Sequence, residues 1–274
     1  MSILNPANEF TDALKPIDIA GHHLQFKLGP VDMSINKVVL YLFLGAAITA
    51  LVFILISKAA RVLPTRKQAG FEAIYEYVRD VLVGAVMPGE AAAAWFPYIA
   101  GLFFFILISN IIGLIPLPFN LAPGFHNIPE FKTYAATANI NVTIALAAIT
   151  FVATHVSGIR SNGAIGYFKG WMPSTAPPVL KQVLFVLHGI SELFRLVSLS
   201  VRLFANLVAG HLVMLVFYAM ILMIQSVALA ILIVPLEASV VAVSLFEIFV
   251  AGIQAYIFAI LSAVYLGQAV KLNH

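Results

Sequence analysis

Apolar runs near twenty residues long recur along the chain, separated by short stretches rich in Pro, Gly, Lys and Arg. The runs are continuous and do not alternate between apolar and polar positions. They therefore predict helices able to cross a hydrocarbon core about 30 Å thick, and not barrel strands. The first predicted span covers residues 37–58 and includes VVLYLFLGAAITALVFILIS. Further spans are predicted over 96–117 and 138–157. Residues 1–36 are polar and predict an exposed tail. Residues 118–137 read as an external loop, and 158–180 as a cytoplasmic loop that carries Arg160 and Lys169.

The segment 66–86 has a different pattern. Phe71, Ile74, Tyr75, Val78, Val81 and Leu82 recur at helical spacing opposite Glu72, Glu76, Arg79 and Asp80. This predicts an amphipathic helix, lying either on the membrane surface or against the rest of the bundle.

The last ninety residues are too long for two ordinary spans. No proline interrupts 181–225, whose only glycines are Gly189 and Gly210, and Pro235 is the only proline in 229–270. Read as one helix, the first of these stretches is on the order of 65 Å long, about twice the hydrocarbon thickness. The expectation is two long, strongly tilted membrane-embedded helices, 181–225 and 229–270. The fold class is then all-α and polytopic, with upright spans plus this hairpin.

Composition agrees with that reading. Of 274 residues, 62% are hydrophobic and only 10% charged, where a soluble domain is about a quarter charged. The formal charge of +3 reflects Lys and Arg at span ends, which points to topology and away from nucleic acid. Lys58, Arg61, Arg66 and Lys67 close the first span and predict a cytoplasmic side there. The N-terminus is then outside and the C-terminus cytoplasmic. The absence of cysteine excludes disulfides and thiolate chemistry. Residues 1–23 lack the basic start and apolar core of a cleavable signal peptide. No G-x-x-x-x-G-K-[ST] loop or H-E-x-x-H pair is present, so nucleotide or zinc-hydrolase chemistry has no motif to rest on. No cofactor is expected.

The candidate chemistry lies inside the apolar runs, where an ionised side chain costs at least ~2.5–3.5 kcal/mol on insertion scales. His188, Glu192 and Arg195 stand at i, i+4 and i+7, so Glu192 can neutralise Arg195 on its own helix. A polar lining for a water-filled inlet is the alternative. Arg202 has Ser198, Leu199, Ala205 and Asn206 as its i±3 and i±4 neighbours, none of them acidic. A guanidinium cannot escape its cost by losing a proton. Its counter-charge must come from another helix, with a static pair to Glu237 or Glu247 as one reading, or from another chain. Asn206 shares the face of Arg202, whereas His211, nine residues on, lies about 180° around the helix. In the second long helix Glu247 and Gln254 share a stripe, with Ser244 one turn before. Histidine and a desolvated glutamate can both exchange protons near neutrality. A fixed cation can only repel a second cation or attract a carboxylate.

SLSVRLFANLVAGHL (198–212), followed by FEIFVAGIQAYIFAILSAVYL (246–266), resembles the two signature helices of the F-type ATP synthase subunit a family. ISNIIGLIP (108–116) and ANINVTIAL (138–146) are similar too. The likeness covers roughly residues 60–270, most specifically the last seventy. It implies a non-catalytic membrane stator beside a rotating ring of c subunits, together with peripheral-stalk b subunits and the rest of the F1Fo complex. Two aqueous half-channels would reach the ring carboxylates, separated by Arg202. Asn206, His211, Glu247, Gln254 and Asn110 take the family's polar positions by resemblance, and Ser198 lies on the exit side with Asn206. Some relatives carry an acid where this chain has His188, with Glu192 one turn away, and an aspartate where it has Gly113. The order of histidine and acid at 211 and 247 varies in the family. The implied location is a bacterial cell inner membrane, with an organellar inner membrane as the alternative.

Two other functional classes fit the sequence less well. A self-contained transporter, with Arg202 binding an anion and Glu247 carrying a proton, calls for inverted repeats with broken helices, and none is seen. A purely structural scaffold leaves Arg202 without a reason.

Overall fold

The computed structural model describes residues 18–19, 22–23, 27–28, 31–32, 36–59, 66–87, 89–114, 135–172, 177–224 and 231–270. Most of the tail, the expected external loop up to residue 134, Arg61 and the link 225–230 lie outside the described residues. Among the described residues the chain is all-α apart from two minimal antiparallel ladders in the tail. In these, β1 (Asp18–Ile19) pairs with β2 (His22–His23), and β3 (Lys27–Leu28) pairs with β4 (Val31–Asp32).

Among the described residues seven α-helices follow: α1 (Lys37–Ala59), α2 (Arg66–Glu76), α3 (Gly89–Leu114), α4 (Ile140–Asn162), α5 (Ala164–Gly170), α6 (Pro178–Met223) and α7 (Ile233–Val270). Among the described residues five of these are long and apolar enough to cross a membrane: α1, α3, α4, α6 and α7. The chain is a multi-pass membrane protein. With 46 residues α6 is about 70 Å long, and with 38 residues α7 is about 57 Å. Helix α6 begins on Pro178, whose missing N–H is no loss in the first turn and whose fixed φ suits a helix start. At α1 the side chain of Asn36 accepts the Val39 N–H at 2.9 Å and caps the helix.

The described residues divide into two compact units. The first comprises 1–49, 105–139 and 204–253. Here Val38, Tyr41, Gly45 and Thr49 form the buried face of α1, at helical spacing, while Phe43 and Leu44 remain exposed apolar groups. A Cβ on Gly45 would come within 2.7 Å of the Ser109 hydroxyl, so the glycine sets how closely α1 and α3 approach. A short 3-10 turn, Ala136–Ala138, is fully buried against the end of α3. This corrects the expectation that 118–137 is external loop throughout, because its last residues are core.

The second unit comprises 50–104, 140–203 and 254–274. The expected single amphipathic helix over 66–86 is in fact α2 followed by a π-helical stretch, Tyr77–Gly84. Wider i→i+5 turns bring Val83 to the same side as Val78 and Leu82, and all three are fully buried. They pack with Met87, Ile99, Ala100, Ala259, Ala263 and Leu266. Ala255, Ala259, Ala263 and Gly267 give α7 a small-residue edge, and a Cβ on Gly267 would lie 2.8 Å from the Val86 carbonyl. Small residues at fourfold spacing allow such close backbone contact without a hydrophobic drive. Ile74, Tyr75, Tyr77 and Val81 stay exposed. One face of the π-helical half is therefore core, and apolar groups of both halves point outward.

Helix α4 runs on to Asn162, and α5 follows where a cytoplasmic loop was expected. Gly163, at φ +71°, makes the turn between them. It brings Tyr167 of α5 against Gly158, where any side chain would collide with the ring.

Candidate functional site

Within the first unit α6, α7 and the end of α3 enclose a cavity of about 360 Å³. Asn206, Gly210 and His211 line it from α6, Glu247 and Ala251 from α7, and Leu114 from α3. The wall is otherwise Leu, Val, Ala and Phe, so these few polar groups converge in an apolar chamber. Glu247 is only 8% exposed, and neither of its carboxyl oxygens has a hydrogen-bond partner among the described residues. Room for that carboxylate comes from Gly210, since a Cβ there would overlap it. Ser244, one turn before Glu247, donates to the Val240 carbonyl at 2.8 Å and so is satisfied within its own helix.

Asn110 is fully buried on α3. Its Nδ2 donates to the Ala251 carbonyl at 3.4 Å, and its Oδ1 accepts from the Thr137 hydroxyl at 2.7 Å. Asn110 thus ties to the backbone of the cavity wall and is not itself part of the lining.

The remaining candidates belong to the second unit. Gln254, two helical turns after Glu247 on α7, is 5% exposed and its Nε2 has no partner among the described residues. Arg202 is exposed at the protein surface, one turn after the equally exposed Ser198. Neither a hydrogen bond nor an ion pair joins Arg202 to any described residue. The static internal pair weighed from the sequence is absent among them. Asn206 lines the Glu247 cavity together with His211.

Glu192 shows the opposite behaviour. It is 7% exposed, accepts from Arg195 Nη1 at 2.6 Å, and lies 3.4 Å from His188 Nε2. The Arg195 guanidinium also sits 4.9 Å from the centre of the Tyr265 ring, a cation–π arrangement. The Trp171 ring lies against His188, tilted by 39°, with ring centres 4.7 Å apart. Thr150 and Thr154 border the small gap beside Glu192 and Arg195, about 10 Å³, room for about one water. The local neutralisation open in the sequence is what the helix makes.

Four contributors are not legible in the sequence. Gly210 reads only as one of two glycines in a long helical stretch, Thr137 falls in an expected loop, and Thr150 and Thr154 look like ordinary span residues. Each gains its role from a partner distant in sequence.

Comparison with known proteins gives one consistent answer. Residues 39–267 match the family described as ATP synthase A chain. Relatives named ATP synthase subunit a include that of Rubrobacter xylanophilus, 38% identical over 248 residues, covering 90% of this chain and 88% of the relative. That of Pelagibacter ubique is 35% identical over 270 residues, covering 98% and 99%. That of Nitrobacter winogradskyi is 31% identical over 275 residues, covering 99% and 100%. This polytopic α-helical chain therefore belongs to the ATP synthase A chain family.

Proposed function

We propose that the chain is the proton-conducting stator subunit of an F-type ATP synthase, itself non-catalytic. The observation that carries the reading is Arg202: a permanent cation, exposed, on a helix otherwise built for lipid, with no partner among the described residues. Its anion then arrives from outside, on the carboxylates of a rotating c ring. Arg202 draws each carboxylate in, favours loss of its proton, and keeps two aqueous half-channels from joining. An electrostatic barrier of this kind needs a charge that cannot titrate, which guanidinium supplies.

The Glu247 cavity fits the inlet. A buried carboxyl without a fixed protein partner can accept a proton and pass it on, and His211 and Asn206 share its chamber. Gln254 continues the polar stripe along α7, and Asn110 braces the wall. Exit runs on the cytoplasmic side near Ser198 and Asn206. Each proton driven through contributes about 2.3 kcal/mol per 100 mV, delivered as torque on the ring. Peripheral-stalk b subunits hold the chain against that torque within the F1Fo complex, in a bacterial inner membrane with the N-terminus outside. Five candidate spans among the described residues, an odd number, support termini on opposite sides.

The test is reconstitution of the chain in vesicles with and without its c ring. Proton flux that requires the ring supports the stator reading. Flux or anion uptake by the chain alone would instead mark it as a self-contained transporter.

A further inference from the structure

Asn110 sits where three elements meet, and its amide can be read only one way. The Ala251 carbonyl is an acceptor and nothing else, so the side of the carboxamide facing it must be Nδ2. Oδ1 then points to Thr137, whose hydroxyl must be the donor. Both side chains are fully buried, so no bulk water can substitute for either bond. The 3-10 turn that carries Thr137 is itself seated by Gly113: a Cβ there would run into the Ala135 backbone. Its own bonds, Ala138 N–H to Ala135 O at 2.9 Å and Asn139 N–H to Ala136 O at 3.2 Å, hold it closed.

What the amide holds is the wall of the Glu247 chamber. Ala251 is one turn after Glu247 on α7, Leu114 is one turn after Asn110 on α3, and both line the cavity. We infer that Thr137 is a positioning residue for proton transfer: through Asn110 it fixes the α7 backbone one turn from Glu247. Without the hydroxyl, the Asn110 oxygen is left buried and unpaired, and the carboxamide is free to turn away from Ala251. The wall beside Glu247 then loses its fixed spacing. This inference rests on the stator reading above, because it assigns Thr137 a part in the conduction proposed there.

The experiment uses the assembled complex in vesicles, with ATP-driven proton pumping normalised to the amount of complex. Thr137→Val keeps the shape and deletes the donor, while Thr137→Ser keeps the donor. Thr137→Val is expected to lower pumping about tenfold, as befits a buried acceptor stripped of its partner, and Thr137→Ser to stay within about twofold of wild type. In an Asn110→Leu background Thr137→Val should have no further effect, because the group it positions is gone. Wild-type pumping by Thr137→Val overturns the inference, as does equal loss in the Val and Ser variants. If Thr137→Val fails to assemble, Thr137→Ala replaces it. Failure of both to assemble, with Ser normal, assigns the hydroxyl to folding and also overturns the inference. Arg202→Ala measured alongside separates the two ideas. Normal pumping there sinks the stator reading itself, whereas loss there with wild-type Thr137→Val sinks only the role of Thr137.

Discussion

The Glu247 carboxylate occupies the space that a Cβ on Gly210 would need. A buried acid on one long helix has thus been given its seat by the absence of a side chain on the other. Because the acid has no partner among the described residues, its position depends on packing alone. Gly210→Ala should displace it at a cost typical of overpacking, about 1–3 kcal/mol, which a multi-helix protein tolerates. The expected result is assembled complex with proton pumping reduced about tenfold, since small misplacements at a reacting group cost far more rate than stability. Pumping per complex in vesicles checks this.

His211 and Glu247 line one chamber from facing helices and are its two titratable groups among the described lining residues. Replacing either with Ala should slow proton flux, while exchanging them, His211→Glu with Glu247→His, should preserve part of it. Unchanged flux in both single variants would take the pair out of the pathway. The measurement is the initial rate of proton uptake at fixed driving force.

Glu192 and Arg195 are bound to each other in a partly buried setting. Removing one partner strands the other, so Glu192→Ala and Arg195→Ala should each destabilise the complex, and the double variant should cost less than their sum. A coupling of about 1–3 kcal/mol is expected from a thermal-unfolding cycle. Additive losses would mean the pair is not a unit.

The ion pair of Arg79 and Asp80 supplies a contrast. The hydrogen bond from Arg79, at 2.8 Å, holds the Asp80 carboxyl below its ordinary range. A carboxyl with a lowered folded pKa adds stability above its unfolded pKa, about 3.9, and loses it as pH falls through the folded value. Both side chains are exposed, so solvent screens the pair. Arg79→Gln should leave pumping unchanged, lower the thermal midpoint at pH 7 only slightly, and remove the correspondingly small loss of stability below about pH 4.

Helices were the legible part of this chain, because a membrane core rewards uninterrupted apolar length and little else can satisfy the backbone there. Length alone foretold that α6 and α7 exceed an upright span. The π-helical stretch was not legible: Val78 and Leu82 suit α and π spacing equally, and only the packing of Val83 against Ala263 and its neighbours decides. The buried turn at Ala136–Ala138 carries no periodicity and has the composition of a loop. In the site, charge in an apolar run marked Arg202, and a nine-residue offset separated its surroundings from those of His211. Thr137 and Gly210 carry no such signal. A hydroxyl and a missing side chain stand out only through their contacts with Asn110 and Glu247, which the chain places far away in sequence.

Central to the account is that the cation of Arg202 is completed by a carboxylate outside this chain. The most direct measurement is ATP-driven proton pumping by the assembled complex carrying Arg202→Ala, with assembly and ATP hydrolysis measured on the same vesicles. The account predicts intact assembly with coupled pumping abolished. Normal coupled pumping in that variant would contradict it.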